Sequence, residues 1–187
     1  MKKITSFLVL MMLILSSMFG MTACTDNGEV QEEANHQLQL YFVNSEYVEL
    51  GEATDGALML YGEVYIDLLE EGDEGYTEET REQAYTSAIT NLWQTPPHMD
   101  KAMTLVTEDI LVHGVTVENG TAYVDVCGED LVHGGSMEES LFISQIVETL
   151  VNSFEEIERV QFMVDGEVAE SLMGHCYVGE PLEKGFF

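Results

Sequence analysis

The sequence predicts an α+β fold: a small mixed sheet with two helices packed on one face, in β-α-β-β-α-β order. Three patterns carry this expectation. Apolar residues alternate with a period of two in several short stretches, and they recur with a helical period in two longer ones. An Asn119-Gly120 pair separates two alternating runs, as a tight hairpin requires. Helices that interleave with an antiparallel hairpin cover one face of a sheet.

Each element has its own signal. In residues 38–43, Leu38, Leu40 and Phe42 alternate as in a strand, and residues 58–69 form a companion β-rich stretch with Leu60, Gly62, Val64 and Ile66 on one parity. Residues 70–75 are an acid-rich turn without the alternating Asp/Asn ligands of a calcium loop, and they read as a solvated loop. In residues 78–93 the period becomes helical: Tyr85, Ala88, Ile89 and Leu92 fall at i, i+3, i+4 and i+7, and Pro96-Pro97 stop the helix. The hairpin joins a run containing Val115 and Val117 to one containing Ala122, Val124 and Val126. Ser136 and Glu139 form a capping box that opens the second helix, whose stripe is Ile143, Ile146, Val147, Leu150 and Phe154. Val160, Phe162 and Val164 alternate in the last strand, which Asp165-Gly166 closes with a turn.

The N-terminus is built differently. Lys2 and Lys3 precede an apolar run from Phe7 to Phe19, broken by Ser16 and Ser17, and Met21-Thr22-Ala23-Cys24 follow. A membrane span needs about 20 apolar residues, so the run is short for one. A basic start, a short apolar core and a small residue before the cut define a secretory signal over residues 1–23. The cysteine directly after the cut resembles a bacterial lipobox, which implies a diacylglyceryl group on the thiol of Cys24. The alternative is an ordinary secreted protein in which Cys24 is incidental. Residues 24–37 are polar and acidic and read as a flexible tether, with one domain over residues 38–187.

Charge limits the partners. The chain has 35 acidic and six basic side chains, a formal net charge of −29; the signal removes Lys2 and Lys3 and no acid, which leaves −31 on 164 residues. So acidic a body repels phosphate backbones and is expected to bind no nucleic acid. It also repels anionic lipid, so the lipid anchor must supply the membrane attachment. The charge is accounted for by solubility in a cation-rich exterior, although a basic partner is also compatible with it.

No catalytic or metal constellation emerges. His133-Gly134-Gly135-Ser136 resembles the oxyanion segment of esterases, but the chain has no G-x-S-x-G nucleophile elbow, and a glycine turn entering a helix suffices. Cys127, His133, His175 and Cys176 are zinc-ligand types whose spacings, C-x₅-H and adjacent His-Cys, do not follow structural zinc patterns. Neither a metal nor a cofactor is expected. Cys127 and Cys176 form a disulfide or remain two reduced thiols; an exported protein permits either, and geometry decides.

Several fragments occur together in a suggestive order. They are Ala102-Met103-Thr104-Leu105, then residues 115–125 (VTVENGTAYVD), Glu138-Glu139, residues 145–150 (QIVETL), residues 160–166 (VQFMVDG), Gly174-His175 and Glu180-Pro181-Leu182. Over residues 38–185 this set resembles the GerMN domain of sporulation and spore-germination lipoproteins. The resemblance implies a small α/β fold related to ring-building motifs, lipid anchoring, and a non-enzymatic assembly role at the bacterial envelope. It carries no established catalytic residues. One copy is present, where the best-known sporulation member has two. The expected function is a membrane-tethered interaction module that binds an envelope protein or itself. Candidate surfaces are the first strand, with its edge at Tyr41 or Val43, and the helices near 80–93 and 137–154. The alternative is an extracytoplasmic lipoprotein whose acidic loops capture a cationic ligand or peptide.

Overall fold

In the computed structural model, the described residues are 34–94, 99–131 and 134–186. The signal, Cys24, Pro96-Pro97 and His133 lie outside them. Among these residues, eight strands and three α-helices follow in the order β1 (His36–Asn44), α1 (Ser45–Leu50), β2 (Leu58–Ile66), α2 (Glu78–Gln94), β3 (Ala102–Met103), β4 (Val112–Glu118), β5 (Thr121–Val126), α3 (Ser136–Ser153), β6 (Arg159–Val164), β7 (Glu167–Val168) and β8 (Leu182–Glu183).

The α+β class and the long-element order agree with the sequence, and the strands divide between two sheets. One sheet has the order β2-β1-β3, and the other runs β4-β5-β6-β7 with β8 also on β6. The hairpin forms as expected: β4 and β5 pair antiparallel, and Asn119 and Gly120 both take positive φ, 50° and 77°. β5 and β6 are parallel, joined by the crossover through α3, with Thr121 opposite Arg159 and Val126 opposite Val164.

α3 is the centre of the fold. Leu141, Phe142, Ile143, Ile146, Val147 and Leu150 are all buried, so the helix is apolar on more than one face and is enclosed by its neighbours. α2 contributes Ala84, Tyr85, Ala88, Ile89 and Leu92 to the same core, the stripe expected from its sequence. At its start, Thr77 and Thr80 cap each other: each backbone N–H donates to the other's Oγ1 at 3.0 Å. This is the reciprocal geometry of a capping box with threonine in place of Glu.

Several expectations are corrected. β1 begins at His36, two residues inside the stretch read as tether, because the His36 ring stacks on Phe154 at 5.1 Å and its Nε2 contacts the Ser153 carbonyl at 2.7 Å. Leu60 does not share a face with Val64 and Ile66. The register passes from Leu38–Val64 to Leu40–Tyr61, so β2 carries an extra residue that reverses its parity; Tyr61 packs on the core and Leu60 faces solvent. Ser136 is not the cap of α3. Gly135 occupies that position without a side-chain bond, and Glu139 turns its carboxylate elsewhere.

The expected free edge of β1 is also covered. β2 pairs along one side of it, and β3 pairs with Val43 and Asn44 on the other. Beyond β3, α3 takes over: the Gln39 N–H donates to Ser153 Oγ at 2.9 Å and the Tyr41 N–H to Thr149 Oγ1 at 3.1 Å. Val43 is fully buried. Two hydroxyls thus satisfy amides that a strand would otherwise pair, which an apolar helix face alone could not do. Replacing Thr149 with Val or Ser153 with Ala should therefore cost about 1–3 kcal/mol each. A lower urea midpoint at constant slope, with faster amide exchange at Tyr41 or Gln39, is the expected readout. Unchanged exchange at both amides would show that the hydroxyls do not seal the edge.

Candidate functional site

Three features of the described residues stand out: a carboxylate buried under a loop, an acidic cavity, and an open sheet edge.

The carboxylate is Glu139, fully buried in the first turn of α3. Its Oε1 accepts from Ser171 Oγ at 2.8 Å and from the N–H groups of Leu172 and Met173 at 3.0 and 2.8 Å. Its Oε2 accepts from the N–H groups of His175 and Cys176 at 2.7 and 3.0 Å. The loop thus wraps the anion as a backbone nest, at the end of the helix that favours negative charge. Burial pushes the Glu139 pKa up, but hydrogen bonds from Met173, Ser171, His175 and Cys176 outweigh it and hold the group below its usual 4.5. An ionised carboxylate with five donors is a fixed anchor, not a proton-transfer group. It holds residues 171–176 on the core.

This arrangement places two of the zinc-type residues. His175 contacts the Gly134 carbonyl through Nε2 at 2.9 Å, and Cys176 Sγ lies 3.7 Å from the Ser136 carbonyl. Burial and then the Glu139 charge push the Cys176 thiol up, so it stays protonated and unreactive at neutral pH. Cys127 and Cys176 are both free thiols with different neighbours. Cys127 directly follows β5, where His113 and Asp165 approach it, while Cys176 sits in the loop around Glu139.

The cavity, about 780 Å³, lies between the acidic turn and the start of α2. Glu70, Glu71, Glu78, Glu82, Glu155 and Glu156 line it, with Arg81, Tyr85 and His36. Its one arginine is engaged. Arg81 donates to Tyr85 Oη and the Leu69 carbonyl, each at 2.9 Å, and to Glu156, and it pairs with Glu70 at 3.2 Å. Burial lowers the Arg81 pKa, and its bonds to Tyr85, Glu156 and Glu70 more than reverse this. Tyr85, which donates to Glu156 at 2.7 Å, is pushed up to about 12, chiefly by burial. Burial raises Glu156 too, yet its bonds with Tyr85, its own backbone N–H and Arg81 bring it below the usual value. The cluster therefore stays Arg⁺, Tyr–OH and Glu⁻ at neutral pH. It forms a rigid wall, and the remaining carboxylates give the space a net negative lining.

The open edge is β2, the terminal strand of its sheet. Leu60, Glu63 and Tyr65 are exposed along it, Leu60 at 49% and Tyr65 at 55%. Sequence reasoning placed the free edge one strand too early, on β1.

The fold, with its core helix, three-stranded sheet and five-stranded sheet, is similar to those of known GerMN domains. The first GerMN domain of the sporulation protein GerM from Bacillus subtilis matches with TM-score 0.54 and 18% identity, covering 80% of this chain and 98% of that one. The tandem GerMN domains of the same protein match with the same score and identity over 79% of this chain, which spans 45% of the tandem structure's length. A candidate lipoprotein from Clostridium perfringens matches at TM-score 0.50 and 18% identity, covering 81% of this chain and 93% of that one. At this identity the likenesses concern the fold. No curated protein sequence matches the chain. The sequence profile of the Germane family, described as sporulation and spore germination, matches residues 39–170, and the chain belongs to that family.

Proposed function

We propose that this protein is a membrane-tethered, non-enzymatic assembly module of the bacterial envelope, working in sporulation or germination. The observation that carries this reading is the open edge of β2, the terminal strand of its sheet, along which Leu60 and Tyr65 stand exposed. The large buried polar groups of α3 are occupied internally: Glu139 by the 171–176 loop, Gln145 by Leu105 and Thr104, and Thr149 by β1. An edge strand offers a ready template for an added strand, which is how many protein contacts form. Family membership and the fold's likeness to a sporulation protein support the setting. The likeness to a lipoprotein and the N-terminal sequence support the tether. Among the described residues no helix is long and apolar enough to cross a membrane; the attachment in this reading is the lipid on Cys24.

A diacyl group supplies two chains, and a single chain holds only marginally. Replacing Cys24 with Ser should move nearly all of the protein from the membrane fraction to the soluble fraction, or leave it unprocessed. Mass spectrometry of the native protein should find lipid on an N-terminal Cys24. Cleavage elsewhere with an unmodified thiol would refute the tether.

One observation favours a second reading, capture of a cationic ligand or peptide: the glutamate-lined cavity. Crosslinked membranes separate the two. A protein attached through β2 supports assembly, whereas a small cationic molecule or peptide attached at the cavity supports capture.

A further inference from the structure

We infer that His113, Cys127 and Asp165 form a binding site for a borderline transition-metal dication, zinc above all. The three residues lie far apart in sequence, and the sheet brings them together. Cys127 directly follows β5, and its N–H donates to the Leu111 carbonyl at 3.0 Å, which continues the β4–β5 ladder. Asp165 directly follows β6, and its N–H donates to the Val126 carbonyl at 3.1 Å, which continues the parallel β5–β6 ladder. His113 sits at the irregularity between Val112 and Gly114, where the β4–β5 register shifts. Such bulges re-aim a side chain. The ends of three adjacent strands therefore offer one nitrogen, one sulfur and one oxygen, and these atoms all lie within 4.8 Å of one another.

The geometry suits a tetrahedral ion. Bonds of about 2.0–2.3 Å to N, O and S at tetrahedral angles put ligand atoms about 3.3–3.6 Å apart. His113 Nε2 and Asp165 Oδ1 are already 3.4 Å apart. The thiolate closes the remaining gap by a side-chain rotation, and a fourth position is left for water. Oxygen-preferring calcium and magnesium gain nothing from a thiolate and an imidazole, whereas zinc takes both. A nucleophilic relay is a poorer account of the same residues. It sets thiol and carboxylate on opposite ring nitrogens, and here one imidazole nitrogen lies near both.

The surroundings are built to hold the carboxylate. Asp165 takes φ of 51°, and the next N–H, of Gly166, donates to Asp125 Oδ1 at 3.0 Å, which fixes the turn. A Cβ on Gly128 would come within 2.9 Å of Asp165 Oδ2 and 2.8 Å of Val164 Cγ1, so a glycine is needed for the close approach. The His113 and Asp165 side chains are 40% and 60% exposed, which gives the ion open entry from solvent. The acidic body draws dications toward it.

Cobalt titration of the full-length chain, purified in detergent under a reducing agent, tests the site. One equivalent of Co²⁺ should produce a thiolate-to-cobalt charge-transfer band in the near ultraviolet, and one equivalent of Zn²⁺ should remove it. Cys127→Ala should abolish the band, while Cys24→Ala and Cys176→Ala keep it. His113→Gln should weaken binding at least tenfold. Asp125→Ala, which frees the turn, should weaken it about ten- to a hundredfold. Circular dichroism checks that each variant is folded, and the solvent-facing His113→Gln decides the matter if Cys127→Ala is not. No band, a band that survives Cys127→Ala, or binding that excess Ca²⁺ displaces would overturn the assignment, the last by showing that surface carboxylates alone hold the ion.

Discussion

Replacing Glu139 with alanine is expected to destabilise the domain by about 4 kcal/mol, because it orphans donors that the fold has removed from water. Five donors converge on this carboxylate. An unsatisfied buried donor costs about 1–3 kcal/mol, and the total stays below the full sum because water enters the vacated space. Whole domains are stable by only about 5–15 kcal/mol, so the variant should sit near unfolding. Glu139→Gln keeps the volume but turns an NH₂ toward N–H groups, and about half the loss is expected.

The pH dependence has a definite sign. The folded pKa of Glu139 lies below its usual 4.5, so its contribution is complete above that value and fades as pH falls through the folded pKa. The deficit of Glu139→Gln relative to the native chain should therefore be largest near pH 7 and shrink below about pH 4. Urea midpoints at several pH values measure it. An alanine variant with an unchanged midpoint, or a glutamine deficit that does not vary with pH, would show that the nest contributes no net stability.

Glu139 also shows how far the sequence could be read. It lies four residues before Ile143 and seven before Ile146, on the buried stripe itself. A charge at that place signals an interior partner, yet a Ser three residues upstream matched the capping pattern. The structure resolves the conflict in favour of the option that satisfies five donors instead of one. Long periodic elements were legible because the apolar spacing of Tyr85, Ala88, Ile89 and Leu92, and the positive φ demanded by Asn119-Gly120, are local properties. What was not legible depended on distant residues. The parity reversal in β2 comes from its register against β1, and the covered edge of β1 comes from Thr149 and Ser153, more than 100 residues away. α1 was missed as well; its Asn44 cap, accepting from the Glu46 N–H at 3.0 Å, and its Gly51 terminator with φ of 75° were visible, but its six residues bury no side chain and show no stripe. His113 escaped notice beside Cys127 because metal-spacing rules follow the chain, whereas a hairpin and a parallel crossover assemble this trio.

Lysine on the open strand, as Leu60→Lys or Tyr65→Lys, is expected to reduce partner recovery from crosslinked membranes at least tenfold. Both side chains are largely exposed, so the fold should change by only about 0.5 kcal/mol, and circular dichroism verifies this. A charged residue on an edge strand opposes the docking of another strand, which is how natural sheets protect such edges. Val168→Lys is the control: Val168 is 56% exposed but lies on β7, in the other sheet, and recovery should be unchanged. Neutralising Glu71, Glu82 and Glu155 to glutamine should alter recovery less than twofold. These charges act through solvent, where the screening length falls from about 10 Å at 0.1 M salt to about 3 Å at 1 M, so they tune the rate and salt dependence of encounter rather than the contact. The opposite result is equally specific. If the glutamine variant loses its partner while both lysine variants retain it, the cavity is the binding surface, the protein captures a cation or basic peptide, and the assembly function is wrong.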